Sequence, residues 1–164
     1  MPEIVKGQGS RWRVRSVRKL SPEENRGKHN VYVDVWRNGS CIRSLSAIGI
    51  CYGWQDTPAQ TVRLDKPMSE PGTNFPIYLG ANYWVKVVDV DGNQSETVTG
   101  LTCDLPDEPM PADGLGGNAR GHHSWMVEFE WAEQEPQPQA GLLDEVYAIA
   151  DQLMAALAKI EKRS

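Results

Sequence analysis

The sequence predicts a mainly β fold, an antiparallel β-sandwich followed by a C-terminal α-helix that forms a short coiled coil. Three observations carry that class. Apolar and polar residues alternate in about seven short runs, the period of half-buried strands. Turn signals separate the runs, among them Asn38-Gly39 and Asp91-Gly92. Past Gly141 the apolar spacing changes from two to alternating three and four, which is helical. Strands with turns and no helix between them favour a sandwich over a parallel α/β sheet.

Residues 1–10 carry Pro2, Gly7 and Gly9 with only Ile4 and Val5 as sizeable apolar groups beyond Met1. They have little to bury and are expected to form a flexible arm. The sandwich is placed at residues 11–132. Its first strand, over residues 11–18, sets Trp12, Val14 and Ser16 on one face and Arg11, Arg13 and Arg15 on the other. Ser21 followed by Pro22 reads as an N-cap and first position of a single helical turn, ended by Gly27.

The clearest strand is residues 31–36, with Val31, Val33 and Val35 sharing a face. Asn38-Gly39 predicts a type I′ hairpin, because both residues tolerate positive φ, and the return strand should start near Cys41. Residues 48–54 form an apolar run in which Gly49 and Gly53 suggest bulges or close backbone approach. A short strand follows at 61–64. Residues 65–76 carry Pro67, Pro71, Gly72 and Pro76 and read as a loop or an edge. Residues 83–89 alternate again, Asp91-Gly92 predicts a second type I′ hairpin, and the returning run spans 95–101. A long loop over 106–121 leads to the last strand, 124–131. There Trp125, Val127, Phe129 and Trp131 take the core face, and Met126, Glu128 and Glu130 the other.

Residues 133–141 form a Pro/Gln/Glu linker stiffened by Pro136 and Pro138. Residues 142–164 are expected to be an oligomerisation helix. Leu143, Val146, Ala150, Leu153, Leu157 and Ile160 form its heptad seam, widened by Leu142, Ile149 and Ala156. Asp144 and Glu145 near its start and Lys159, Lys162 and Arg163 near its end suit the helix dipole. A seam apolar on more than one flank favours a homotrimer over a dimer.

Composition narrows the function. The chain has 164 residues and a net charge of -5, from 17 basic against 22 acidic side chains. That balance gives no general attraction to nucleic acid or to an anionic membrane. No apolar run is long enough to span a bilayer. Residues 1–6 lack a signal-peptide pattern, so synthesis in a cytoplasm is expected. Cys41, Cys51 and Cys103 lack zinc-site spacing; buried free thiols and a Cys41–Cys51 bridge across a hairpin both remain open.

Candidate chemistry is sparse. Glu23-Glu24 falls in a turn and Glu128/Glu130 on a solvent-facing strand face, where nothing implies the apolar pocket an acid catalyst needs. His122-His123 could join Asp104, Asp107, Asp113 or His29 around a metal. Adjacent histidines on a strand point apart, however, so packing or a backbone bond is the preferred reading. No catalytic residue, metal ligand or cofactor site is therefore assigned. The basic stretch Arg11, Arg13, Arg15, Arg18 and Lys19 is read as a solvated face or as a docking surface for an acidic partner. Trp36 and Trp84 lie off the core face of their strands and are candidates for glycan or protein contact.

Several strings carry a resemblance. They are Ser21-Pro22-Glu23-Glu24-Asn25-Arg26-Gly27-Lys28-His29-Asn30-Val31-Tyr32-Val33-Asp34-Val35, Gly53-Trp54, Leu64-Asp65-Lys66-Pro67 with Glu70-Pro71, Gln94-Ser95-Glu96-Thr97-Val98-Thr99-Gly100-Leu101, and Gly121-His122-His123-Ser124-Trp125. Together they resemble an immunoglobulin-like β-sandwich module of phage and prophage proteins, often found beside lysozyme-type muramidase domains. The resemblance covers residues 11–131. It implies an accessory module without catalysis of its own, and the remaining residues are too few for a hydrolase. The expected function is a structural or adhesive virion component (decoration, fibre or tail-associated) that self-associates and contacts other virion proteins. The alternative is a free-standing glycan- or cell-wall-binding module of a phage lysis system, with cell-surface glycan as its partner. Neither nucleic acid nor membrane is an expected partner.

Overall fold

The computed structural model describes residues 1–5, 11–43 and 47–131. The elements are β1 (Glu3–Val5), β2 (Trp12–Lys19), α1 (Pro22–Asn25), β3 (Asn30–Arg37), β4 (Ser40–Cys41), β5 (Ile48–Trp54), β6 (Gln60–Arg63), β7 (Thr73–Pro76), β8 (Tyr83–Asp89), β9 (Thr97–Leu101) and β10 (Trp125–Trp131). They form two sheets, ordered β1-β9-β8-β5-β6 and β2-β10-β3-β4, with β7 also paired to β3. The class is mainly β and sandwich-like. The expected helix, with the seam Leu143, Val146, Ala150, Leu153, Leu157 and Ile160, lies outside the described residues, as does the linker.

The core forms where alternation places one face of each strand inward. Val31, Val33, Val35, Val85, Val87, Val127 and Phe129 are fully buried, each such side chain contributing about 1.5–3 kcal/mol relative to exposure. Ile50 and Val98 join the same cluster from the first sheet, beside Val85 and Val87. Tyr52 of β5 stacks on Phe75 of β7 at 3.8 Å between ring centroids, linking the two sheets. The Nε1–H of Trp12 adds a polar link by donating to Asp89 Oδ2 at 3.1 Å.

Local signals are realised closely at several points. Ser21 caps α1 with Pro22 in its first turn, and Glu24 completes a reciprocal capping box. Asn38 (φ 51°) and Gly39 (φ 73°) form the type I′ turn between β3 and β4. Gly49 and Gly53 mark close approaches rather than bulges, for β5 keeps continuous register with β8.

Four expectations are corrected. Glu3–Val5, expected in the arm, pairs antiparallel with Thr97–Thr99; backbone pairing to an open sheet edge needs few apolar residues of its own. β3 and β10 run parallel, so the second sheet is mixed. Hairpin signals specify only neighbours in sequence and are silent on this long-range pair. In β2, Ser16 opposes Glu128 and Val14 opposes Phe129, which leaves Arg15 as an extra, bulged residue. The bulge reverses the alternation, so Ser16 turns outward and Val17 takes the inward position opposite Val127. The turn after β8 starts at Asp89, whose carbonyl accepts the Gly92 N–H at 3.0 Å. Only Gly92 (φ 80°) is left-handed there, so it is not type I′. Of the two readings open for the cysteines, the free-thiol one holds: all three are free, Cys103 buried and Cys41 and Cys51 partly exposed. The β3–β4 hairpin returns for only two residues, which puts Cys41 in one sheet and Cys51 in the other.

Candidate docking face of the second sheet

The outward side of β2, β10 and β3 gathers Arg13, Arg15, Arg18 and Trp36, four of the six sequence-predicted site residues that lie among the described residues. Parallel pairing sets Trp36 of β3 beside Glu130 of β10, and antiparallel pairing sets Arg13 beside the same glutamate. Arg13 Nε donates to Glu130 Oε1 at 2.7 Å, and Arg15 approaches the other oxygen at 3.9 Å. The Arg15 guanidinium lies over the Trp36 ring, 4.4 Å from its centroid. Trp36 Nε1–H donates to Glu128 Oε1 at 3.1 Å, and Ser16 Oγ donates to Glu128 Oε2 at 2.6 Å. Both Glu128 oxygens are therefore engaged within the sheet.

Beyond this face, at the end of β10, Arg11 and Arg37 lie over Trp131, which alternates inward with Phe129, at 5.8 and 4.9 Å from the ring centroid. Trp131, expected in the core, is half-buried and packs edge-on against Trp12. At the other end Arg18 Nη1 donates to Glu24 Oε2 at 2.8 Å. That bond and the capping contacts from Ser21 hold the Glu24 carboxyl below its ordinary range. The basic cluster is thus structured: Arg13 and Arg15 meet Glu130, Arg18 meets Glu24, Arg15 stacks on Trp36, and Arg11 and Arg37 lie over Trp131. Stacking on indole fixes a guanidinium plane while leaving N–H donors at its edge.

Trp84 does not join this face. It lies on the outer side of the first sheet, directly opposite Gly53, with the Lys86 ammonium 5.8 Å from the ring centroid. A Cβ on Gly53 would sit 2.8 Å from Trp84 Cζ2, so the ring takes the space a side chain would occupy.

Sequence reasoning missed a group beside the network. Asp34 alternates outward on β3 yet is nearly buried, because Arg43 and Gly72 cover it. Arg43 Nη2 stands 2.9 Å from Asp34 Oδ1, Gly72 N–H donates to the same oxygen at 2.8 Å, and Arg43 Nη1 donates to Cys41 Sγ at 2.7 Å. Burial and the Asp34 charge push the Cys41 thiol above its ordinary pKa, so this thiol is not activated as a nucleophile. The only early sign of the group was a lone acid inside a valine strand.

The histidines bond to the backbone. His122 Nδ1 lies 2.8 Å from Gly27 O. His123 is fully buried, with Nδ1 3.3 Å from Cys103 O and no hydrogen-bond partner for Nε2 among the described residues. Burial holds the His123 pKa below its ordinary value and pushes the Cys103 thiol up. The imidazole meets the carbonyl of Cys103, while Cys103 Sγ turns to Ile77 O at 3.6 Å. This geometry makes no thiol–imidazole pair of the kind that activates a nucleophile. Among the described residues, no group of three or more His, Cys, Asp or Glu side chains is placed to share a metal ion, and no helix is long and apolar enough to cross a membrane.

A groove of about 730 Å³ opens between the edge strands β1 and β2, lined by Ile4, Val14, Val17, Leu105 and Trp125 among others. Fold and face together define a mainly β, sandwich-like protein with an arginine–tryptophan–glutamate surface on one sheet. Comparison of the chain with protein-family models, with curated proteins and with solved structures finds no match.

Proposed function

We propose that the chain is a non-catalytic structural or adhesive module, an immunoglobulin-like sandwich serving as a component of a phage particle. In this reading it docks through the outer face of β2, β10 and β3 onto an acidic surface of another virion protein. It self-associates, most simply as a trimer, through residues 142–164.

The observation that supports docking is the Arg15–Trp36 stack. The guanidinium is held 4.4 Å from the ring centroid, and its nearest carboxylate contact is a long 3.9 Å. Its donors are oriented in advance and incompletely used, which lowers the entropy lost when an external carboxylate binds. Arg and Trp are also the side chains that most often dominate protein contacts.

The test is the double substitution Arg13→Glu and Arg15→Glu in the phage carrying the gene. Incorporation into purified particles should be abolished, while the isolated protein keeps its melting temperature within a few degrees. Normal incorporation would overturn the docking reading. For self-association, light scattering of the full chain is compared with a chain ending at Glu135. An oligomer that becomes a monomer supports the seam; identical masses overturn it.

The second reading, a glycan- or cell-wall-binding module, is favoured by one observation, the partly exposed Trp84 ring on the opposite face. It predicts co-sedimentation with insoluble cell wall that Trp84→Ala abolishes.

A further inference from the structure

We propose that His29 and His122 form a two-histidine site for a late first-row divalent cation such as Zn²⁺, its remaining coordination positions filled by water. This site is independent of the docking face.

The parallel pairing of β3 and β10 creates the juxtaposition. Val31 and Trp125 are register partners at the start of both strands, so the residues leading into each strand arrive side by side at one end of the sheet. His29 precedes β3 and His122 precedes β10. Their ring centroids are 5.8 Å apart, with an interplanar angle of 75°. Two imidazoles that each bring a nitrogen to about 2.0–2.1 Å from one shared ion place their centroids roughly 5–6 Å apart at tetrahedral or wider angles.

The protonation pattern fits a ligand. A carbonyl oxygen only accepts, so the 2.8 Å contact between His122 Nδ1 and Gly27 O requires the proton on Nδ1. Nε2 of the neutral ring is then left with its lone pair. Fixing one ring nitrogen on a backbone carbonyl is the support that metal-binding histidines ordinarily have.

Both lead-ins are held. Asn25 Nδ2 donates to His122 O at 2.5 Å, and Ile77 N–H donates to His29 O at 2.8 Å. The two rings line a surface hollow of about 330 Å³ beside Tyr78 and Leu79. His122 is exposed and His29 half-buried, so an ion and its waters can reach the pair. Simple ring packing would explain the contact with Tyr78, at 5.7 Å between centroids. It does not require the His122 lone pair to be left free.

Isothermal titration of the full chain with zinc sulfate tests the site. The expected result is saturable binding of one ion. His29→Phe keeps a ring against Tyr78 and His122 but removes the ligand nitrogen, and should weaken binding at least tenfold. His122→Ala should do the same. Cys51→Ser, which alters a partly exposed thiol on the first sheet, should leave the affinity unchanged. No saturable binding by the full chain, or His29→Phe binding as tightly as the parent, would overturn the site.

Discussion

The indole of Trp84 stands where a side chain on Gly53 would project, 2.8 Å from the position of a Cβ. The two residues are direct cross-strand partners, so the glycine is a requirement of packing. Gly53→Ala should destabilise the protein by about 1–3 kcal/mol, the range for overpacking. In a Trp84→Ala background the same change should cost much less. A double-mutant cycle in denaturant reads the coupling, and additive effects would show that the ring moves aside freely.

Arg43 and Asp34 form an ion pair whose side chains are only 11% and 12% exposed. Arg43→Ala leaves the carboxylate with the Gly72 N–H and little else of opposite charge. Loss of one partner from such a pair costs about 3–5 kcal/mol. Arg43→Ala should therefore destabilise more than the double change Arg43→Met with Asp34→Leu, which removes both charges. Equal losses for the two variants would refute the desolvation account.

Phe129 is fully buried in the centre of the core. Phe129→Ala should lower stability by roughly 3–5 kcal/mol, as large core truncations do. A denaturant melt changed by less than 1 kcal/mol (roughly the cost of a surface substitution) would mean the inner face of β10 is misassigned.

His123 makes stability depend on pH. Its folded pKa lies below the ordinary value of 6.5 because burial disfavours the imidazolium. As pH falls through 6.5 the unfolded chain takes up a proton that the folded chain refuses, so stability drops on the acid side and is fully present above it. Lys19 adds to the depression, while the Cys103 carbonyl and Asp107 oppose it. Melting temperatures between pH 7.5 and pH 5 should fall in the parent, and fall less in His123→Gln. Parallel pH profiles would exclude His123 as the cause.

Much of this architecture was legible in the residues alone. The Asn38-Gly39 turn and the Ser21-Pro22 helix start rest on interactions within a few residues, and the strand over residues 31–36 on alternation within its own run. Alternation alone identified Val33, Val85, Val127 and Phe129 as core, because a pleated strand turns every second side chain to the same side. The turn at Asp89 was displaced because a carboxylate that accepts the Asp91 and Asn93 N–H groups nucleates a turn earlier than the Asp-Gly pair suggests.

What the sequence by itself determined, then, is the class of the fold and which face of most strands is buried. Tertiary structure alone decided how distant segments meet. The bulge at Arg15 appears only when β2 is paired to β10, and it turns Ser16 outward onto Glu128. The parallel β3–β10 pair brings Trp36 onto the arginine network and His29 to His122. Asp34 alternates away from the valine face, and only the fold brings Arg43 and Gly72 over it. Periodicity records which side of its own strand a residue takes; long-range pairing, set by the free energy of the whole packed arrangement, decides what that side meets.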